Sequence, residues 1–397
     1  MNATQIPAHV PSELVVDFDY FAPEGSDRDP FLALAPLHEK PAFFWTPRNG
    51  GHWVATRGPD IKEILGDYQT FSSSAVFIPK INRPRLVPVE QDPPEHTEYR
   101  RLMMPAFTPD SVEKFTAPAR MMAAEIIDEF YADGECEFIM AFGVKLPMLI
   151  FLNMSDLPLA DFNRLLQNAN DNSRGDAATR ERAWNEISAY VSKLIKERRA
   201  HPGEDVISNA INGQVFGRAV NDSEAFGIVN AFLGGGFDTV QATMGWIAKF
   251  LAESPEHRRQ LVAEPSLIPR AIDEMLRRFS ISNIARVVRN DMSFKGVDMK
   301  SGEQILLPAI LYSFDETIFK DPFKVDFKRP DARMHMTFSN GVHKCPGQNL
   351  GIAQLRIFLE EWLKRIPDFR IKPGTVPKTA TGIVHGVTEM WLEWDVK

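Results

Sequence analysis

Residues 338–347 read FSNGVHKCPG, and this short run decides how the rest of the chain is interpreted. It places Cys345 in a loop bracketed by Gly341 and Gly347, immediately before the helix-like stretch 348–363. Because N–H groups and the helix dipole stabilise negative charge at a helix N-terminus, we expect the Cys345 thiolate to form easily. The glycines let the backbone approach a flat partner closely. A buried structural cysteine is the ordinary alternative for a lone Cys, and the surrounding pattern argues against it.

The composition is that of a globular protein with few specialised features. Of its 397 residues, 44% are apolar and 25% are charged, and the net charge of −8 argues against a nucleic-acid partner. Two cysteines, Cys136 and Cys345, exclude a disulfide framework and favour a reducing compartment, so we expect a cytoplasmic protein in which Cys136 is structural. Residues 1–14 do not resemble a signal peptide, and no apolar run is long enough to predict a membrane span.

Helical patterns dominate the chain and predict a mainly α fold with a minor β region. The longest predicted helix covers residues 222–254, with capping residues before it and Pro255 after it. We expect one domain over residues 1–397, because no repeat or linker divides the chain. Its sheet-rich parts are expected at roughly 40–80, 285–310 and 370–395.

The middle of the long helix carries residues that are costly for a helix. Gly235 and Gly236 are each destabilising by about 1 kcal/mol relative to alanine. A close approach of another molecule to the helix would explain them, although a helix crossing through small residues is the alternative. Asp238 and Thr239 follow, and the Thr239 hydroxyl can bond back to the carbonyl of Gly235.

Two other segments contain charged residues at helical spacing. Glu274 and Arg277 lie three positions apart, which usually means a solvated surface pair. His96 and Arg100 lie four positions apart after Pro93-Pro94, and two donors on one helix face suit a carboxylate. Ordinary surface cations are the alternative there.

Taken in order along residues 92–347, these motifs resemble those of cytochrome P450, and the soluble bacterial camphor-hydroxylase type in particular. The pattern F-x-x-G-x-H-x-C-x-G is similar to the haem-binding loop of that family. The resemblance implies the P450 fold, a triangular helical prism around haem b, with Cys345 as the axial iron ligand. It also implies catalytic roles for Asp238, which would deliver protons, and Thr239, which would position a water molecule.

The resemblance also assigns residues around the cofactor. It implies that Glu274, Arg277 and Arg329 form a structural lock for the cysteine loop. The residues expected to bind the cofactor are His96, Arg100, Gly235, Arg286, Phe338, His343, Cys345 and Gly347.

The expected substrate pocket is almost entirely apolar, which favours a small hydrophobic molecule held mostly by shape. Gly234 stands where the camphor type has a branched residue, which should enlarge the pocket. We therefore expect a terpenoid other than camphor, such as a cineole-like bicyclic ether or a norisoprenoid. The candidate pocket residues are Phe77, Leu86, Val87, Val89, Gly234, Ile281, Ser282, Ile383 and Val384.

The chain has no nucleotide-binding fingerprint and no iron–sulfur cysteine cluster, so the electrons must come from separate proteins. The family resemblance implies O2 as co-substrate, a [2Fe–2S] ferredoxin with its reductase, and a monomeric enzyme. Four cations are expected to help dock an acidic ferredoxin: Lys62, Arg100, Arg101 and Lys344. Ordinary solvated surface charge is the alternative for Lys62 and Arg101. A peroxide-driven peroxygenase and a non-catalytic haem-thiolate sensor are the alternatives. The Asp238-Thr239 pair argues against the first, and the lack of a signalling appendage against the second.

Overall fold

Helices carry most of the chain, of which this computed structural model describes residues 4–80, 83–174 and 177–396. The architecture is mainly α with a minor β region, as the sequence predicts. The α-helices of the described residues are α1 Pro30–Leu34, α2 Gly58–Gly66, α3 Glu95–Met103, α4 Pro109–Phe130, α5 Lys145–Met154, α6 Phe162–Arg174, α7 Ala177–Ala200, α8 Val206–Ile211, α9 Asp222–Glu253, α10 Pro255–Ala263, α11 Ile268–Arg278, α12 Ala309–Ser313 and α13 Gln348–Arg365.

Short strands form a five-stranded sheet, a three-stranded sheet and three two-stranded hairpins among the described residues. The strands are β1 Phe43–Thr46, β2 His52–Ala55, β3 Phe71–Ser72, β4 Glu135–Glu137, β5 Gln214–Val215, β6 Arg218–Ala219, β7 Asn283–Val288, β8 Met292–Phe294, β9 Val297–Met299, β10 Gln304–Pro308, β11 Arg370–Ile371, β12 Lys378–Ala380, β13 Gly386–Glu389 and β14 Trp391–Glu393.

The five-stranded sheet has the order β1-β2-β10-β7-β3, in which β2 and β10 run parallel and the other pairs antiparallel. Antiparallel pairing of β10 with β7 places Arg286 opposite Ile305. Successive strand residues point to opposite faces, so Arg286 lies on the face opposite to that of Ala285 and Val287. The sheet therefore fixes the position of this buried arginine.

Helix α9 runs through the centre of the molecule for 32 residues, about 48 Å at 1.5 Å per residue. Asn221 and Glu224 form a capping box at its N-terminus, which satisfies two backbone donors there. The helix packs against α5, α7, α8, α13 and β13. Residues 226–237 are apolar apart from Asn230, which predicts that this part of the helix runs through the core. Within it, Gly234 and Gly235 are exposed. One face of the helix centre therefore faces open space.

An aromatic cluster holds α13, the helix that follows the cysteine run. Phe138, Phe142 and Phe358 lie around Trp362 with ring centroids 5.1–6.1 Å apart. Trp362 is 1% exposed, and rings of this size contribute much of the apolar area buried in a core. The start of α13 is thereby fixed relative to the rest of the fold.

Cys136 lies in β4, a strand outside the regions where the sequence predicts sheet. It is 5% exposed and pairs with Leu392 of β14. Burial raises the pKa of the Cys136 thiol, so this cysteine stays protonated, in line with the structural role expected for it. No helix among the described residues is long and apolar enough to cross a bilayer.

Candidate active site

Residues 338–347, called here the cysteine loop, are closed by backbone hydrogen bonds. The N–H of Cys345 donates to the carbonyl of Phe338 at 2.8 Å. Gly341 has a φ of +67°, and a Cβ on it would lie 3.0 Å from the Cα of Gly66. Only glycine fits here, because both the backbone conformation and the contact with α2 exclude a side chain. The loop is thus a rigid turn that leads Cys345 to the start of α13.

The protein surroundings do not make Cys345 a free thiolate. Burial raises the pKa of the Cys345 thiol above its usual value, although the Gly347 N–H and the charge of Arg100 act in the opposite direction. The expectation that the thiolate forms easily is therefore wrong for the protein alone, because desolvation outweighs the helix N-terminus. A metal ion deprotonates a coordinating thiol outright, so Cys345 suits a metal ligand better than an isolated nucleophile.

A group of nitrogen donors, called here the cation cluster, lies next to the cysteine loop. It comprises His96 of α3, Arg100 of α3, Arg286 of β7 and His343 of the cysteine loop. The rings of His96 and His343 are 4.2 Å apart between centroids. His96 and Arg286 are each 2% exposed. Three separate segments of the chain thus bring these side chains together.

Several nitrogens of the cation cluster are buried without a hydrogen-bond partner among the described residues. They are Nδ1 and Nε2 of His96, Nε2 of His343 and Nη2 of Arg286. Arg286 donates through Nη1 to the carbonyl of Ala285 at 3.0 Å. A buried donor left without a partner costs about 1–3 kcal/mol, so this group is arranged to receive acceptors from another molecule.

Burial also disfavours the charged forms of the cation cluster. It lowers the pKa of His96 to about 4 and that of Arg286 to about 10. It lowers the pKa of His343 to about 2, and the charge of Arg286 acts in the same direction. Burial lowers the pKa of Arg100 as well, and Arg100 donates to the carbonyl of Lys344. An anionic partner would reverse these shifts, because opposite charge stabilises the protonated forms.

These residues fit haem. A single cysteine suits a thiolate ligand for iron, and the unsatisfied donors of the cation cluster suit carboxylates such as the two propionates. On α9, a Cβ built on Gly234 or Gly235 would meet nothing within 4 Å, so the backbone there faces open space. Among the described residues, no group of three or more His, Cys, Asp or Glu side chains could hold a metal ion.

The central part of α9 places Thr239 beside this open space. The hydroxyl of Thr239 donates to the carbonyl of Gly235 at 2.9 Å, the back-bond that the sequence suggests. Thr243 repeats the arrangement one turn later, donating to the carbonyl of Thr239 at 2.9 Å. Asp238 is exposed. The carbonyl of Gly235 therefore accepts a hydrogen bond from the Thr239 side chain, in the part of α9 where residues 234–236 are all glycine.

Glu274, Arg277 and Arg329, called here the Glu274 cluster, form a second buried polar group. Glu274 and Arg277 are both 0% exposed and share two hydrogen bonds, of 2.7 and 2.8 Å. Arg329 donates to Glu274 at 3.1 Å. The remaining guanidinium donors bind backbone carbonyls of residues 313–324. The surface alternative for the Glu274–Arg277 pair is excluded, because water does not reach it.

The expected pocket residues lie on five stretches of the chain: Phe77, residues 86–89, Gly234, residues 281–282 and residues 383–384. Ile281 and Ser282 face Ile383 and Val384 through an antiparallel bridge, in which Ser282 pairs with Val384. The segment with Leu86, Val87 and Val89 packs on α9. The exposure of the nine residues varies: Val87 and Ile281 are buried, Val89 and Gly234 are exposed, and Phe77, Leu86, Ser282, Ile383 and Val384 are partly exposed. Val87 contacts α9 rather than open space.

Asp92 is a residue of this site that sequence reasoning left without a role. Its carboxylate accepts hydrogen bonds from Ser72, the N–H of Ser73 and Arg289, at 2.5, 2.9 and 2.6 Å. It thereby ties the start of α3 to β3 and lies close enough to raise the pKa of Arg286. The signal was an acidic residue immediately before a proline-led helix start.

Comparison with known proteins agrees with this geometry. A family model described as Cytochrome P450 matches residues 172–384. The "Probable cytochrome P450 127A1" of Sinorhizobium fredii is 33% identical over 99% of this chain and 98% of its own length. The chain belongs to the cytochrome P450 family. The crystal structure of CYP101J2 covers 99% of this chain with a TM-score of 0.91 and 35% identity, and all of that chain is matched. The structure of CYP101C1 covers 98% at a TM-score of 0.91 and 33% identity, again over its full length.

Membership of the P450 family establishes the coarse function. The fold is the P450 fold, the cofactor is haem b, and the enzyme is a monooxygenase that binds a substrate and O2 and needs redox partners. The similarity to two CYP101 structures confirms the resemblance to camphor-type bacterial P450 enzymes. The roles of individual residues remain predictions on which the function below is built.

The surface cations named from the sequence differ in what they contact. Lys62 and Lys344 are exposed, and Asn340 links their segments by donating to the carbonyl of Lys62 at 3.1 Å. Arg101 instead contacts Glu98 at 3.3 Å and the carbonyl of Gln214 at 2.9 Å. The segments of Lys62 and Lys344 are therefore linked through Asn340, and Arg101 contacts the β5–β6 hairpin.

Proposed function

We propose that this P450 hydroxylates a small hydrophobic substrate with O2 and electrons from a [2Fe–2S] ferredoxin and its reductase. The substrate class is a monoterpenoid of camphor or cineole type, or a norisoprenoid. The observation that carries the proposal is the set of buried, unpartnered nitrogens of the cation cluster beside Cys345. The enzyme acts as a monomer in the cytoplasm.

The chain's own residues bind and orient the cofactor. With haem bound, Cys345 would supply the iron ligand, His96, Arg286 and His343 would donate to the propionates, and Arg100 would add positive charge there. Phe338 and Gly347 bracket the cysteine, and Gly235 allows close approach from the other side. Bound haem supplies the oxygen-activating chemistry of the family. The Glu274 cluster keeps residues 313–329, which lead into the cysteine loop, in one conformation.

Asp238 and Thr239 handle protons and water on the α9 side. The Thr239 hydroxyl uses its proton on the Gly235 carbonyl, so its oxygen is left as an acceptor that can hold a water molecule. The exposed carboxylate of Asp238 exchanges protons with solvent and passes them to that water. This arrangement supports a monooxygenase over a peroxide-driven enzyme, which needs no such proton supply.

A pair of threonine variants tests this assignment. We expect Thr239→Ala to lower product formed per electron consumed by about 100-fold, the low end for positioned proton-transfer groups. Thr243→Ala removes a hydroxyl with the same kind of back-bond one turn away and should leave the yield unchanged. Equal effects of the two substitutions would contradict a special role for Thr239.

The substrate pocket selects by shape. Eight of the nine expected pocket residues lack polar side chains, and Ser282 is the exception. A pocket of this kind gains affinity in proportion to the apolar surface it removes from water. Gly234 leaves extra room on α9, because nothing lies within 4 Å of where its side chain would be.

Lys62 and Lys344 are the docking residues that we propose for an acidic ferredoxin. Both are exposed and their segments are joined through Asn340. We do not include Arg101, which faces the β5–β6 hairpin, or Arg100, which is partly buried against the Lys344 carbonyl.

The proposed function is tested by substrate titration and turnover. Binding of 1,8-cineole and of an ionone should shift the spin state of the ferric protein, whereas fatty acids should not. Turnover should require reduced ferredoxin and should fail with hydrogen peroxide alone. A spin-state response to fatty acids alone would contradict the substrate class, and turnover with peroxide alone would contradict the monooxygenase route.

A further inference from the structure

The loop between β3 and α3 is fixed at both ends of its described part. At its start, Gln304 donates to the carbonyl of Phe77 at 2.9 Å. At its end, Asp92 accepts from the N–H of Ser73 at 2.9 Å. Both anchors belong to or adjoin the five-stranded sheet. Residue 92, which follows segment 83–91, is therefore held next to the end of β3.

Glu90 holds segment 83–91 in one shape from within. Its carboxylate, 8% exposed, accepts from Arg83 Nη1 and from the N–H of Leu86, both at 2.9 Å. The N–H of Glu90 in turn donates to the carbonyl of Leu86 at 2.8 Å. Arg83 also lies over the ring of Phe77, 5.0 Å from its centroid. A buried carboxylate with these partners fixes the segment far more firmly than an exposed ion pair would.

Segment 83–91 packs closely against α9 at Gly227, where the missing side chain leaves a notch in the helix surface. A Cβ on Gly227 would lie 2.6 Å from the carbonyl oxygen of Arg85 and 2.8 Å from Cγ2 of Val87. The contact is with backbone as well as side chain, so rotation of a side chain cannot relieve it. Any residue larger than glycine at this position must push the segment away from the helix.

The notch lies on the same face of α9 as the open site. Gly227 and Gly234 are seven residues apart, which places them within about 20° around the helix and about 10.5 Å along it. Gly234 faces open space. The segment seated at Gly227 therefore forms the wall of the site nearest to the N-terminus of α9.

We infer that Gly227 and Glu90 are positioning residues that set substrate specificity by fixing segment 83–91 against α9. This inference rests on the proposed function, because it presupposes that a substrate binds in front of Gly234. Neither residue touches the substrate; each acts through the placement of Leu86 and Val89, which line the wall.

The test uses two haem-iron ligands of different size, imidazole and 4-phenylimidazole, titrated into the haem-loaded protein by absorbance. Imidazole is the smaller ligand and should depend little on the wall, whereas 4-phenylimidazole carries an additional apolar ring whose fit should depend on the wall's position. Gly227→Ala should weaken 4-phenylimidazole binding by about tenfold, as expected for a small misfit in an apolar pocket. The dissociation constant for imidazole should change by less than about twofold. Glu90→Gln keeps the shape of the side chain but loses its charge. It should raise the ratio of the 4-phenylimidazole to the imidazole dissociation constant as well, by a smaller factor.

Gly245→Ala is the matched control. It is the same substitution in the same helix, and its Cβ would also meet close neighbours, Ile139 and Val387, at 3.1 Å. It lies eleven residues from Gly234, about 16.5 Å along α9, and does not contact segment 83–91, so it should leave the ratio unchanged. If Gly227→Ala fails to fold, Glu90→Gln carries the test.

The outcomes separate this inference from the proposed function. A wild-type protein that lacks the spectrum of a thiolate–iron–CO complex overturns the proposed function. If the wild type shows this spectrum, two results would overturn the positioning role alone. One is a ratio of dissociation constants that neither Gly227→Ala nor Glu90→Gln changes. The other is an equal change of that ratio in Gly245→Ala.

Discussion

The Glu274 cluster and the cation cluster are both buried, charged and built from arginine, yet they differ in how their donors are satisfied. In the Glu274 cluster, every guanidinium bond goes to Glu274 or to a backbone carbonyl of the chain. In the cation cluster, nitrogens of His96, His343 and Arg286 have no partner among the described residues. The first group is complete within the protein, whereas the second is complete only with an anionic ligand.

This difference distinguishes a structural cluster from a ligand-binding cluster, although both contain buried arginine. A complete buried network stabilises one conformation, and removing one member leaves its partners uncompensated. An incomplete network lowers the stability of the protein alone, because its buried donors have no acceptors. A ligand that supplies those acceptors stabilises the folded state when it binds. The two clusters should therefore respond in opposite ways to substitution, when stability and haem affinity are measured separately.

The largest expected effect is that of Glu274→Ala. It leaves Arg277 and Arg329 buried without a counter-charge, so we expect a loss of about 3–5 kcal/mol in the free energy of unfolding. Urea unfolding of the apoprotein and of the haem-loaded protein measures this loss. Both forms should be destabilised alike.

Glu253→Ala is the control for that measurement. Glu253 pairs with Lys249 on the surface of α9 at 2.7 Å, and removal of such a pair should cost less than about 0.5 kcal/mol. An equally small loss for Glu274→Ala would break the comparison, because it would mean that the buried network contributes little.

Arg286→Leu should have the opposite profile. It removes a buried charge whose Nη2 has no partner, so the apoprotein should be as stable as the wild type or more stable. Haem affinity, measured by transfer to apomyoglobin, should fall by about 10- to 100-fold because a charged hydrogen bond to a propionate is lost.

Arg370→Leu provides the matched arginine substitution. Arg370 is exposed and pairs with Glu393 at 2.7 Å, so neither stability nor haem transfer should change much. If Arg286→Leu destabilised the apoprotein strongly and left haem transfer unchanged, Arg286 would belong to the structural class of cluster.

The last expected effect is a pH dependence of stability caused by His96. Its pKa is about 4 in the folded protein, lowered mainly by burial from an ordinary value of 6.5. Between these values the unfolded chain binds a proton that the folded chain does not, so apoprotein stability falls as the pH drops from 6.5 to 4. His96→Gln should reduce the slope of unfolding free energy against pH by the equivalent of up to about one bound proton.

Haem should weaken that pH dependence, because propionate charge favours the protonated histidine. Unfolding of wild type and His96→Gln at several pH values, with and without haem, measures it. If His96→Gln leaves the slope of unfolding free energy against pH unchanged in the apoprotein, the prediction is wrong. Other buried histidines, such as His52 and His385, would then dominate the loss of stability at low pH.

The sequence predicts the features of this fold that have local signatures. The long helix is expected at 222–254 and observed at Asp222–Glu253, because capping residues and Pro255 mark its ends. Arg329 meets Glu274, as the family resemblance implies. The pairing of Cys136 with Leu392 has no local signature, since the two residues are 256 positions apart, and β4 was not expected.

Electrostatics and packing are harder to predict because they depend on burial. The helix N-terminus predicts an acidic Cys345, but desolvation raises its pKa. Gly227 looks like any helical glycine until the backbone of Arg85 is seen against it. Arg101 was expected with the docking cations, although Glu98 three residues earlier is its partner.

The most direct test is the carbon monoxide difference spectrum of the reduced protein, recorded for wild type, Cys345→Ala and Arg286→Leu. The wild type should show the strongly red-shifted band of a thiolate–iron–CO complex. Cys345→Ala should lose it, and Arg286→Leu should keep its position with lower haem occupancy. A band typical of histidine-ligated haem in the wild type, or a thiolate band that survives in Cys345→Ala, would contradict the account.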